Sequence, residues 1–122
     1  MVGLRRMAIL DHYAGFVVDL DGAFDAGDVS REATAFLRRA GKAHKPVVFV
    51  TDDASRTPDQ LADRFAGIRV VVKPGQIVTS ATSAALLLEL GHPPTMAIGT
   101  PAFVQTLTGC GRRWSPRDPT AL

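Results

Sequence analysis

The stretch FVVDLDGAFDAGD, residues 16–28, sets two carboxylates two positions apart at the end of an apolar run, with a glycine directly after them. Phe16, Val17 and Val18 form the short β-branched and aromatic run expected of a buried parallel strand with turn residues behind it. Asp19 then stands at the carboxyl edge of that strand and Asp21 just beyond it. Charge is costly inside a core, so both acids belong on a rim.

The pattern repeats downstream. Over residues 30–44, Ala33, Phe36, Leu37 and Ala40 fall at helical spacing, while Arg31, Arg38 and Arg39 point elsewhere. Asp28 is a candidate cap for this helix and Pro46 its stop. VVFVT, residues 47–51, is a second apolar run ending in polar residues, Thr51, Asp52 and Asp53. Thr57, Pro58 and Gln60 then spell a helix start, with a cap, a proline in the first turn and a glutamine able to close a capping box. Leu61 and Phe65 would face the core. RVVVKPG, residues 69–75, reads as an extended segment, followed by a helix through SATSAALLLELG, residues 80–91, for which Thr79 and Ser80 are capping groups. TMAIGT, residues 95–100, reads as a further short strand. Thr100 and Pro101 open a last helix through Phe103, Val104 and Leu107.

Strands alternating with helices over short connections predict a parallel sheet with crossover helices, an α/β three-layer sandwich. Such sheets bind ligands outside the carboxyl ends of their strands, where both acid clusters fall.

Composition bounds the rest. At 122 residues, 46% hydrophobic and 21% charged, the chain is one ordinary globular domain. A net charge of +2 is too small to argue for nucleic acid. Cys110 is the only cysteine, which leaves no internal disulfide or thiolate cluster, and His12, His44 and His92 share no metal-ligand spacing. The opening MVGLRRMAIL is too short for a signal-peptide core and no apolar run could span a bilayer, so the cytoplasm is the expected compartment. Residues 1–111 read as the folded core. Residues 112–122, RRWSPRDPTAL, lose all periodicity and read as a disordered basic tail.

Carboxylates two apart at a strand end can share a divalent cation and a phosphate. Mg²⁺ prefers hard oxygen ligands and recruits one or two carboxylates together with phosphate oxygens. An aspartate can attack phosphorus to give an aspartyl-phosphate, and a second acid can protonate the leaving oxygen and then activate water.

With DLDG after an apolar strand, then VVFVTDDASRTPDQLADRF, IVTSATSAALLL and AIGTPAFVQTL in that order, the sequence resembles a haloacid-dehalogenase-type phosphatase. Within that superfamily it is similar to the NagD-like, p-nitrophenylphosphatase-like branch. The resemblance runs from about residue 16 to residue 111 and implies a Rossmannoid core. It also implies Asp19 as nucleophile and Asp21 as general acid/base. The Asp21 backbone carbonyl would join the Asp19 carboxylate on Mg²⁺, so that Asp19 and Asp21 form the metal site. Thr51 would hold the transferring phosphoryl group, with Asp52 beside it in the phosphate-binding set. The implied partner is a small phosphorylated metabolite, with neither nucleic acid nor membrane.

The departures are specific. The family usually carries asparagines where this chain has Asp52 and Asp53, and a carboxylate about 4 Å from a phosphate costs at least ~1 kcal/mol even in water. The family also continues into a cap domain, a phosphate-binding lysine and a further acidic motif. Lys73 precedes the VTSA segment, and Lys42 and Lys45 lie at the wrong end of their elements. The expectation is an incomplete core with little or no activity alone, or a non-catalytic remnant acting as a binding domain. A two-component receiver, of similar length, would need a phosphoacceptor aspartate after its third strand and a lysine after its last; neither is found. The family's sheet order, third, second, first, fourth, fifth, would leave residues 16–20 as an apolar edge. The chain is therefore expected to self-associate through that edge.

Overall fold

The structure, a computed structural model, describes residues 9–23, 30–91 and 96–109. A helical stretch over residues 9–12 leads into strand β1 (Phe16–Asp19) and a helical turn, α1 (Leu20–Ala23). Helix α2 (Arg31–Lys42), strand β2 (Val47–Thr51), helix α3 (Pro58–Ala66) and a 3₁₀ turn (Pro74–Gln76) follow. Strand β3 (Ile77–Thr79) and helices α4 (Ser80–Gly91) and α5 (Pro101–Gly109) complete the described elements. The three strands pair in parallel in the order β1-β2-β3, with Phe16 beside Val47 and Phe49 beside Ile77. The expected α/β parallel sheet is thus present, with β1 outermost on its side among the described residues.

Strand alternation sorts the side chains between two faces. Val47, Phe49 and Ile77 meet Leu37 and Ala40 of α2 and Leu61, Ala62 and Phe65 of α3, in one buried cluster. The Phe49 and Phe65 rings lie 4.7 Å apart at its centre, both fully buried. Losing such a phenyl group costs about 3–5 kcal/mol. On the opposite face Val17 is 73% exposed, and Val48 and Val78 are also exposed.

Local chemistry sets the helix ends. Thr57 and Gln60 form the expected capping box, at 3.2 Å from Gln60 N–H to Thr57 Oγ1 and 2.9 Å from Thr57 N–H to Gln60 Oε1. The cap of α2 falls to Ser30, whose Oγ accepts from Ala33 N–H at 3.0 Å. Asp28, the expected cap, lies outside the described residues. Helix α2 stops before Pro46 is reached. His44 takes a left-handed conformation, φ 53°, while Lys45 N–H reaches Ala40 O and His44 N–H reaches Gly41 O. These are the paired bonds of a Schellman ending.

Two expected extended segments differ. Residues 70–73 carry no strand pairing; Val71 is 91% exposed while Val70 and Val72 pack against the core. The strand starts only after the Pro74–Gln76 turn, which the Gln76 side-chain amide ties to Val47 O at 3.0 Å. Residues 96–100 are likewise not a strand, and Ile98 is exposed. β-Branched residues favour a strand only where a neighbouring strand receives them. The turn around residues 24–29, Cys110, and the expected tail at 112–122 also lie outside the described residues.

Candidate active site

Because all three strands run in parallel, their carboxyl ends share one rim, and Asp19, Thr51 and Thr79 are their last residues. Asp21 follows in the first turn after β1, Asp52 directly after β2 and Ser80 at the start of α4. These residues line an open cleft of about 580 Å³.

A chain of hydrogen bonds orders the rim. Asp21 N–H donates to Asp19 Oδ1 at 3.2 Å, so the turn after β1 folds back on the strand's last carboxylate. The Thr51 hydroxyl donates to the Asp21 carboxylate, lying 2.9 Å from Oδ2 and 3.1 Å from Oδ1. Asp53 N–H donates in turn to Thr51 Oγ1 at 3.0 Å. Thr51 is buried, so filling one side of its oxygen with the Asp53 N–H directs its single proton toward Asp21. Of the expected set, Asp19, Asp21 and Thr51 therefore come together.

Asp52 does not join them in the same way. Its side chain is exposed, and what ties it to the site is its backbone carbonyl, which accepts from Ser80 Oγ at 3.0 Å. Thr79 serves as the expected cap of α4, its Oγ1 accepting from Thr82 N–H at 3.1 Å.

Asp53 organises the loop after β2. Its carboxylate accepts from Ser55 N–H at 2.8 Å, from the Ser55 hydroxyl, and from Arg56 Nη1 at 2.8 Å. The Ser55 hydroxyl, with its backbone N–H and the Arg56 guanidinium, holds the Asp53 carboxyl below the usual carboxylate range against the opposing pull of partial burial. The sequence carries a signal for this, since an aspartate bonding the backbone two residues on is an Asx turn. Ser55 and Arg56 thus serve the loop, while the Ser80 bridge to Asp52 has no signature in the sequence.

The rim is acidic. Among the described residues, the cation of the loop after β2, Arg56, is held by Asp53, and all three lysines lie elsewhere. Lys42 and Lys45 flank the amino end of β2, and Lys73 precedes β3 by way of the 3₁₀ turn. Asp19 is exposed, and its Oδ2 has no partner among the described residues. This donor set, hard oxygens open to water, fits a hydrated Mg²⁺ held through one or two carboxylates. No group of three or more acidic, histidine or cysteine side chains converges among the described residues. No helix among them is long and apolar enough to cross a membrane.

Residues 16–113 match the family model of the haloacid dehalogenase-like hydrolases. An acid sugar phosphatase of Staphylococcus epidermidis is 30% identical over 105 residues, which cover 84% of this chain and 40% of that protein. Among solved structures, NagD of E. coli K-12 superposes with a TM-score of 0.74 at 26% identity, over 87% of this chain and 43% of NagD. A double mutant of the thermostable NPPase of Geobacillus stearothermophilus gives a TM-score of 0.71 at 30% identity, over 81% of this chain and 40% of its own. The chain spans about 40% of the length of the first curated relatives it matches.

Proposed function

The chain belongs to the haloacid dehalogenase-like hydrolases, in their NagD-like branch, and from that premise we propose that it carries the phosphoryl-accepting half of a phosphate monoesterase site. The observation that carries the reading is the Thr51 hydroxyl, buried and donating to Asp21 across the strand boundary beside Asp19.

In this reading Asp19, exposed at the end of β1, presents its carboxylate oxygen to phosphorus and forms the aspartyl-phosphate as the P–O bond to the leaving group breaks. Asp21 protonates the departing alkoxide and later takes a proton from the water that cleaves the acyl phosphate. Thr51 orients Asp21 in the free site and, once substrate is bound, turns that same hydroxyl proton to a phosphoryl oxygen. Asp19 and the Asp21 backbone carbonyl would hold Mg²⁺, which when bound neutralises phosphate charge. Asp52 contributes through its backbone to the wall of the cleft. The substrate class is a small phosphorylated metabolite, and the compartment the cytoplasm.

Phosphoryl transfer depends chiefly on positioning and charge balance, and these residues bring acids without a lysine. We expect slow Mg²⁺-dependent hydrolysis of a generic aryl phosphate, at least about a thousandfold below a full-length relative. The assay is run with and without Mg²⁺ on the wild type and on Asp19→Asn. Turnover indifferent to Asp19→Asn would sink the reading. The lysine placement favours a second reading, a binding domain without turnover; a chain that binds Mg²⁺ but hydrolyses nothing would support it.

A further inference from the structure

We infer that Ser80 is a positioning residue of the site: its hydroxyl holds the peptide between Asp52 and Asp53 so that the Asp53 N–H stays on Thr51. The consequence for turnover rests on the hydrolase reading above; the hold itself does not. Each bond in the chain has a forced direction. Asp52 O can only accept, so Ser80 Oγ donates to it, at 3.0 Å. Asp53 N–H can only donate, and it does so to Thr51 Oγ1 at 3.0 Å. The Thr51 proton then goes to the Asp21 carboxylate, 2.9 Å away at Oδ2. Asp52 O and Asp53 N–H are the two ends of one planar trans peptide unit and point in opposite directions. That unit is therefore gripped from both sides, by Ser80 and by Thr51.

Ser80 stands on a firm base. Thr51 and Thr79 are partners at the end of the β2–β3 ladder, so the Ser80 bond to Asp52 extends the pairing one residue beyond it. Thr79 is fully buried, and it exchanges bonds with Thr82 across the first turn of α4. Thr79 N–H donates to Thr82 Oγ1 at 2.8 Å, and Thr82 N–H to Thr79 Oγ1 at 3.1 Å. A carbonyl that accepts a hydrogen bond also makes the N–H of its own peptide a stronger donor, so Ser80 strengthens the bond to Thr51 as well as aiming it. Without Ser80 the Asp52 carbonyl turns to water, which supplies a donor but fixes no direction. Once the Asp53 N–H leaves Thr51 Oγ1, the hydroxyl can rotate and spend its single proton on another acceptor. Asp21, and later a phosphoryl oxygen, then lose it part of the time.

Amide hydrogen exchange of the whole chain, read by NMR, tests the hold without any turnover. Ser80→Ala should speed exchange of the Asp53 N–H by about threefold or more, the scale of one modest hydrogen bond. Ser80→Thr, which keeps the hydroxyl, should restore it. The controls are Ser55 N–H, bound to Asp53 Oδ1 in the same loop, and Thr82 N–H at the helix start; both should keep their wild-type rates. In the Mg²⁺-dependent aryl phosphate assay Ser80→Ala should lower kcat, and the loss should vanish in a Thr51→Val background, because Ser80 acts through Thr51. Unchanged exchange at Asp53, equal acceleration at the controls, failure of threonine to restore protection, or a kcat loss undiminished beside Thr51→Val would each overturn the inference. A chain that hydrolyses nothing would count against the hydrolase reading, and the exchange rates alone would then decide the hold.

Discussion

Asp19 and Asp21 close β1, and Asp52 and Asp53 follow β2, so one rim carries two acid pairs built from the same residue type. Their surroundings separate them. The Asp53 carboxylate is enclosed by its own loop, with Ser55 and Arg56 occupying both oxygens. Among the described residues the Asp19 carboxylate accepts only the Asp21 N–H, and it lines the cleft. Asp21 is held from the side by Thr51, and the loop that holds Thr51 begins at Asp53. An acid free of structural partners can do chemistry; an acid that is fully partnered supports the one that does. Through its backbone N–H on Thr51, Asp53 thus helps to hold Asp21.

The largest effect expected from that division is on turnover. Asp19→Asn should lower Mg²⁺-dependent aryl phosphate hydrolysis at least about a hundredfold, the scale of losing a nucleophile. Asp53→Asn, which keeps an oxygen for Ser55, should leave it nearly unchanged. Comparable losses in both variants would erase the distinction between the pairs.

Thr51 joins the pairs, and its removal should come next in size. Thr51→Val keeps the shape but strands the Asp53 N–H and frees Asp21, at about 1–3 kcal/mol of stability by urea unfolding. Thr51→Ser should recover most of both stability and turnover. If valine were as stable as threonine, the link between the loops would be of no consequence.

The smallest effect belongs to Asp53 itself. A carboxyl whose folded pKa is depressed adds stability that is present above the unfolded value, about 3.9, and lost as pH falls through the folded one. Asp53→Asn should therefore be less stable than wild type at pH 7, by no more than about 1 kcal/mol because the pair is partly exposed. The gap should close in acid below the folded pKa. Urea titrations at neutral and acid pH check this, and a gap that widens in acid would reverse the assignment.

Much of this arrangement was legible in the residues. Apolar runs ending in acids located β1, β2 and their shared rim, because such runs pair in a sheet and the charged end must stay outside it. Even so, β1 is not the buried strand expected: its residues are half-buried or exposed, Val17 most of all. Thr57, Pro58 and Gln60 gave α3 its start because capping is local chemistry. Residues 69–75 misled, since three consecutive valines promise a strand that only a neighbouring strand can complete; the ladder takes Ile77, Val78 and Thr79 instead. The TMAIGT strand failed for the same reason, with Ile98 left exposed. At the site, the ends of the two apolar runs put Asp19, Asp21 and Thr51 on one rim, as the structure has them. They could not show that Asp52 would act through its carbonyl, because the Ser80 bond joins residues 28 positions apart.

The most direct measurement is to quench the chain during reaction with Mg²⁺ and an aryl phosphate and locate any phosphoryl adduct by mass spectrometry. A phosphoryl group on the peptide containing Asp19, absent from Asp19→Asn and still formed in Asp53→Asn, is the expected result. An adduct elsewhere, or equal labelling of Asp19→Asn, would mean that the free acid at the end of β1 is not the nucleophile.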